Sequence, residues 1–356
     1  MNLEEAKLKL SKYGQEQILR YYDELSDDEK NALLEQVDKT DMEVLSAIEH
    51  KSELVKKGEI TPLDAMELDE IKANYDTFKN TGVEAIKAGK VGAILLAGGM
   101  GTRLGSDNPK GMYNVGINKE LYIFECLINN LMDVVKETET YIHLFVMTSE
   151  KNNDVTVSFF KENNFFGYKS EYVHVFKQEM AAATDYDGKI YLEEKGRMAT
   201  SPNGNGGWYI SLKKAGLTQV LENNGIEWLN VFAVDNVLQR IADPVFIGAT
   251  IEKHCAVGSK VVRKAAPDEK VGVMCLEDGK PSIVEYYELT KEMMDAKNSK
   301  GDPAYNFGVI LNYLFRVSDL ETIVGKNLPL HIVEKKIPYI NADGNLIKPE
   351  KPNGYK

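Results

Sequence analysis

Cysteine is scarce in this 356-residue chain, and basic residues are outnumbered by acidic ones. The three cysteines, Cys126, Cys255 and Cys275, are odd in number and far apart, with no Cys-x-x-Cys pair. That pattern argues against a disulfide framework and against a zinc site. His143, His174, His254 and His331 show no metal-ligand spacing and read as structural. Lys and Arg number 43 against 55 Asp and Glu, a formal net charge of −12. Non-specific nucleic-acid binding needs the opposite surplus, so nucleic acid is not an expected partner. If the chain handles phosphates, it must do so through a local basic pocket. No apolar run is long enough to cross a bilayer, and the mixed charges of Met1 to Lys7 are unlike a signal peptide, so no membrane partner is expected and the cytoplasm is the expected location.

What is present suits a large central domain with an appendage. Residues 3 to about 80 read as helical. Ser26-Asp27-Asp28-Glu29 is a capping box ahead of Leu33, Leu34 and Val37. Thr40 to Glu43 repeats that pattern before Val44 and Ile48, and Pro62 suits the first turn of a third helix. A helix ends near Ala88. Then Val91 to Ala97 is a short apolar run bounded by glycines, the mark of a strand buried on both faces. Similar runs at 142–147 and 229–234 alternate with helical stretches at 121–136, 152–163 and 209–224. The alternation predicts an α/β fold, a doubly wound, mostly parallel, mixed sheet of Rossmann-like kind behind a helical N-terminal region. Strand-like pieces at 258–264, 271–276 and 282–287 suit a mixed extension. The expected divisions are 1–85, 86–345 and 346–356, the last a Pro/Gly-rich loop.

The strongest chemical signal is Leu96-Ala97-Gly98-Gly99-Met100-Gly101-Thr102-Arg103-Leu104-Gly105, followed by Pro109-Lys110-Gly111. It begins where a buried strand ends, the place where open α/β sheets bind ligands. Its glycines let backbone N–H groups approach phosphate oxygens, while Arg103 and Lys110 add positive charge. It is neither a Walker A loop, since Lys110 is followed by Gly111, nor the dinucleotide fingerprint, whose third glycine falls one position late at Gly105. Asp235 follows the apolar strand at 229–234, where a carboxylate can reach a magnesium ion that bridges phosphates.

The run from Leu96 to Lys110 resembles the signature of the UDP-sugar pyrophosphorylases, and most closely the eukaryotic-type UDP-N-acetylglucosamine pyrophosphorylases. The resemblance continues through Asp187 to Ile190, Pro202 to Gly207, Val234-Asp235-Asn236, Ala242-Asp243-Pro244, Val271-Gly272-Val273, Val284-Glu285-Tyr286 and Lys335 to Tyr339. It implies uridylyl transfer from UTP to a sugar 1-phosphate, with Mg2+ as cofactor. By the same resemblance, the backbone from Leu96 through Ala97 and Gly98 to Gly99 holds the uridine. Arg103 and Lys110 grip the triphosphate, and Asp235 binds the metal. Gln178 and Gly204 match uracil contacts, and Lys356 matches a lysine on the phosphates. Asn205, Gly272, Glu285 and position 309 face the sugar. The family carries asparagine at that last position, where this chain has Val309, so N-acetylgalactosamine and glucose 1-phosphates stand beside N-acetylglucosamine 1-phosphate as acceptors. A uridine-nucleotide-binding protein with little catalysis is the remaining alternative. The family also continues beyond Lys356, so the chain is expected to stop at the start of a C-terminal region.

Overall fold

The protein is described from a computed structural model that covers residues 1–45, 58–202, 204–323 and 333–355. Contacts between Cα atoms divide it into two compact units. One comprises Met1–Lys56, Glu179–Gly204 and Lys326–Lys356, the other Lys57–Gln178 and Asn205–Gly325. This division departs from the linear boundaries expected from the sequence, because the first unit draws on three separated segments.

The second unit is built on a nine-stranded sheet. Its strands are β1 (Ile60–Pro62), β2 (Val91–Leu96), β3 (His143–Thr148), β4 (Val173–Lys177), β5 (Trp228–Ala233), β6 (Val257–Arg263), β7 (Val273–Glu277), β8 (Lys280–Val284) and β9 (Phe307–Arg316). The order is β1-β7-β9-β5-β2-β3-β4, with β6 paired to β9 and β8 to β7. β5, β2, β3 and β4 are parallel neighbours. The pairings on the other side, from β5 through β9 to β1, are antiparallel. The sheet is therefore mixed, and its parallel part is the half that carries the glycine loop. Every residue of β2 and β5 is buried, as a strand covered on both faces demands.

Helices α1 (Leu3–Lys12) and α2 (Asp27–Lys39) belong to the first unit. The helices of the second unit are α3 (Leu68–Ala73), α4 (Tyr75–Lys87), α5 (Ile123–Thr138), α6 (Asn153–Glu162), α7 (Trp208–Lys214), α8 (Thr218–Asn224), α9 (Pro244–Glu252), α10 (Lys291–Asp295) and α11 (Val317–Ile323). One face of the sheet packs Ala93, Leu95 and Val146 against Phe124 and Leu131 of α5, Phe160 of α6 and Ile247 of α9. The opposite face packs Ile94, Phe145 and Val231 against Trp208, Leu212 and Leu221. Helices α4 and α9 cross at glycines: a Cβ added to Gly82 would stand 1.9 Å from Pro244 O, and one added to Gly248 would stand 1.7 Å from Phe78 O. Among the described residues no helix is long and apolar enough to cross a membrane.

In the first unit α1 and α2 bury Leu10, Leu33 and Val37 with Ile190, Leu192 and Met198. The capping box read at Ser26 is present: Ser26 N donates to Glu29 Oε2 at 2.8 Å, and Glu29 N donates to Ser26 Oγ at 3.4 Å. Lys9 Nζ donates to the carbonyls of Val37, Asp38 and Thr40, each at 2.9 Å, and so closes the C-terminal end of α2.

Several local expectations are corrected. Pro62 ends strand β1 rather than opening a helix. β1 is an edge strand, where a missing N–H costs no ladder bond. Thr40–Glu43 runs into a 3-10 turn at Glu43–Leu45, and the rest of that expectation, Ile48 included, lies outside the described residues. The helical stretch at 209–224 is two helices, broken at Gly216 with φ +73°. The stretch 346–356 is not merely a loop. Leu346–Ile347 pairs with Tyr339–Ile340, and Gly354–Tyr355 pairs with Glu334–Lys335.

Candidate functional site

β2 delivers the chain into the glycine loop at the carboxyl end of the parallel half-sheet. Ala97 N still donates to Met147 O at 2.8 Å, so the ladder with β3 runs one residue past the strand. The loop then folds on itself. Met100 bridges Pro109, Gly101 N donates to Asn108 O at 2.8 Å, and Lys110 N donates to Gly99 O at 3.1 Å. Gly105 closes the short 3-10 turn Gly101–Leu104 with φ +73°, a conformation that favours glycine. Gly111 lies flat against Phe124, for an added Cβ would stand 2.2 Å from that ring.

The closed loop brings together residues far apart in sequence. Lys110 forms an ion pair with Asp235, the residue two positions beyond the end of β5. Because β2 and β5 are adjacent and parallel, their carboxyl ends place both residues at one edge of the sheet. The Asp235 side chain is 62% exposed and that of Lys110 is 19% exposed, so the carboxylate remains open to a ligand while the ammonium is half enclosed. Arg103 is exposed and forms no hydrogen bond or ion pair with the described residues, which leaves its guanidinium available.

Gln178, at the end of β4, is 7% exposed and lies against Gly98. A Cβ added to Gly98 would stand 2.5 Å from Gln178 Nε2. The amide of Gln178 therefore packs directly on the loop backbone at Gly98. Asn152, which no motif singled out, supports it. Fully buried, it donates from Nδ2 to Ala97 O at 2.9 Å and accepts from Ser149 N at 2.7 Å. The only hint in the sequence is the polar run that follows β3.

Gly272, Glu285 and Val309 form a second group. A Cβ on Gly272 would stand 3.4 Å from Glu285 Oε2 and 3.4 Å from Val309 Cγ2. Val309 N donates to Gly272 O at 2.9 Å. β9 runs antiparallel to β5 with Asn312 opposite Phe232, so the Val309 end of β9 lies beyond the carboxyl end of β5, on the side of Asp235. Val309 itself offers only methyl groups to that group. Glu285 also raises the pKa of Tyr313, behind the larger effect of burial. Asn205 is exposed in a short 3-10 turn ahead of α7. Gly204 belongs to the other unit, with φ +78° and open space where a Cβ would be. Lys356 lies outside the described residues.

Among the described residues no group of three or more His, Cys, Asp or Glu could hold a metal ion alone. Magnesium does not require one. It keeps several waters and takes one or two carboxylates with substrate phosphates. An exposed carboxylate beside a glycine loop and a lysine fits that requirement.

A family model described as UTP–glucose-1-phosphate uridylyltransferase matches residues 35–356. Among curated relatives, the UDP-N-acetylhexosamine pyrophosphorylase-like protein 1 of Mus musculus is 35% identical over 99% of this chain and 74% of its own length. The UDP-N-acetylglucosamine pyrophosphorylase of Saccharomyces cerevisiae is 36% identical over 84% of this chain and 65% of its own. Among solved structures, the uridine diphosphate N-acetylglucosamine pyrophosphorylase of Trypanosoma brucei, in complex with an inhibitor, is similar with a TM-score of 0.85 and 28% identity, covering 99% of this chain and 73% of that one.

Proposed function

This chain belongs to the UTP–glucose-1-phosphate uridylyltransferase family, and from that premise we propose that it forms UDP-N-acetylglucosamine and pyrophosphate from UTP and N-acetylglucosamine 1-phosphate. The observation that carries this reading is the meeting of Lys110 with Asp235 beside the glycine loop, in a chain whose relatives are named for this product.

An oxygen of the sugar phosphate attacks the α-phosphorus of UTP. The new P–O bond forms as the bond from that phosphorus to the bridging oxygen breaks, and pyrophosphate leaves with the electron pair. Such a step needs in-line positioning and charge neutralisation more than covalent help. The loop backbone and Gln178 hold the uridine. Lys110 and the free Arg103 neutralise phosphate charge. Asn205, Gly272 and Glu285 take the sugar, with Val309 as an apolar wall. Asp235 would hold Mg2+, and that ion would shield charge on the phosphate oxygens. Lys110 exchanges its carboxylate partner for phosphate oxygens when substrate arrives, and until then the ion pair keeps both side chains in place.

The test is pyrophosphate release from UTP and magnesium with the 1-phosphates of N-acetylglucosamine, N-acetylgalactosamine and glucose in parallel. Release with the first acceptor is the expected result. Release with glucose 1-phosphate alone would overturn the sugar assignment, and UTP binding without release in a folded sample would overturn catalysis.

A further inference from the structure

Between Asp235 and α9 the chain makes an excursion, residues 234–243, that is irregular yet tightly tied down. Its first tie continues the ladder between β2 and β5: Val234 N donates to Leu96 O at 3.1 Å. Ile241 N donates to Asn130 Oδ1 at 2.9 Å, and Lys260 Nζ donates to Arg240 O at 3.2 Å and to Asp243 Oδ2 at 2.8 Å. Further ties come from three buried amide side chains, Asn230 on β5, Gln239 in the excursion and Asn312 on β9, which are 1%, 5% and 0% exposed. Gln239 Nε2 reaches back to Ala233 O at 2.8 Å. Asn312 Nδ2 donates to Gln239 Oε1 at 3.2 Å, and Asn312 Oδ1 accepts from Asn230 Nδ2 at 2.9 Å. Asn230 Nδ2 also donates to Tyr313 O at 2.9 Å, while its Oδ1 accepts from Ala242 N at 2.8 Å.

Two features show that this arrangement is imposed on the backbone. The pairing of β6 with β9 slips between Ser259 and Val261, so residues 310–312 crowd opposite Lys260, and Leu311 takes φ +52° just before Asn312. Ala242, held by Asn230, has φ +46°. Non-glycine residues adopt such backbone only when their surroundings over-determine it. Within the excursion, the Gln239 bond to Ala233 closes a ring of chain from 233 to 239, and Asp235 sits inside that ring.

We propose that Gln239 is a positioning residue for Asp235: bridged between Ala233 and Asn312, it fixes the turn that aims the carboxylate at the Lys110 side of the site. A carboxylate at a loop tip is useful to a metal and a triphosphate only if its orientation is set beforehand. The proposal rests on the uridylyltransferase reading for its kinetic consequence, but not for its structural one.

The test therefore uses two readouts on the full chain. Gln239→Met keeps the length and removes both hydrogen bonds. Expected first is faster amide hydrogen exchange confined to residues 234–243. Expected second is about a 10–100-fold rise in the magnesium concentration for half-maximal pyrophosphate release, the usual effect of losing an outer-shell partner, with the KM for UTP at saturating magnesium little changed. Leu221→Ala, a cavity variant in α8 on the opposite face of the sheet from the core that holds Val234, Ile241 and Ala242, serves as the control; it should lower thermal stability without moving the magnesium dependence. Unchanged exchange in 234–243, or a magnesium dependence that moves equally in the control, overturns the proposal. Changed exchange with a wild type that releases no pyrophosphate supports the positioning and sinks the functional reading instead. If Gln239→Met is recovered unfolded, Asn312→Ser opens the same bridge from the strand side and is read in the same way.

Discussion

Gln178 lies over Gly98 so closely that a methyl group on the glycine would meet the amide nitrogen at 2.5 Å. The obstacle is the far end of a flexible side chain, and Gly98 does not have a left-handed backbone. Gly98→Ala should therefore fold with a melting temperature close to wild type while pushing Gln178 out of place. The expected outcome is a rise of about tenfold or more in the KM for UTP, in keeping with about 1–3 kcal/mol for a displaced buried polar partner. Steady-state kinetics alongside thermal melts check this, and an unchanged KM would remove Gln178 from the uridine site.

Arg103 is exposed and unpaired among the described residues, so its loss should cost the fold little, within about 0.5 kcal/mol. Its proposed work is on phosphate charge. Arg103→Ala should lower kcat by about 10²–10³, the usual consequence of removing one preorganised donor. Full activity in this variant would mean that the loop has been misread.

Glu285 stands with Gly272 and Val309 rather than with the glycine loop. Glu285→Ala should raise the KM for the sugar 1-phosphate more than that for UTP. Equal effects on both, measured by initial rates in each substrate, would argue that the carboxylate does not face the sugar.

The crossing of α4 and α9 admits no side chain at Gly248, where an added Cβ would fall 1.7 Å from a backbone oxygen that cannot swing away. Gly248→Ala should destabilise the protein by about 3 kcal/mol, the upper end of ordinary overpacking costs. Denaturant titration checks this, and a loss below about 1 kcal/mol would show that the helices slide apart easily.

His143 and His174 face each other on β3 and β4, with ring nitrogens 2.9 Å apart, and stack among Tyr172 and Phe145. Burial first, and the neighbouring His143 second, push the His174 pKa down to about 4 from its ordinary 6.5. The folded state thus favours the neutral ring, and the unfolded chain binds the proton more readily. The contribution to stability is complete above about pH 6.5 and is lost as pH falls through 4. His174→Gln should flatten that part of the pH dependence in thermal melts between pH 7 and 4.5. An unchanged slope would mean that the pair stays hydrated.

How far the sequence carried this picture follows from distance along the chain. The glycine loop was legible because everything that defines it, a buried apolar strand, closely spaced glycines and two cations, lies within about twenty residues. Asp235 could be placed because it directly follows a second such strand. The edge strand at Ile60–Pro62 was not legible, since three residues that include a proline carry no periodicity, and their partner is Cys275–Glu277. The amide bridge was also invisible. Gln239 and Asn312 are 73 residues apart, and an asparagine in a strand reads as a weak point until its partners are known. The break at Gly216 was signalled by the glycine itself but masked by apolar residues on both sides.

The first unit carries a consequence for how the protein is made. Gln15 bonds to Gly188 and Ile190, Tyr21 Oη donates to Asn341 O, and Thr184 exchanges two backbone hydrogen bonds with Tyr355. Its helices are made before the nine-stranded sheet, yet some of the strands that complete it are translated only after that sheet. Until then Leu10, Leu33 and Val37 wait with part of their cover missing. Helices α1 and α2 are thus exposed to chaperones and proteases while the sheet is made, and loss of residues 334–355 should be felt at Leu10, Leu33 and Val37.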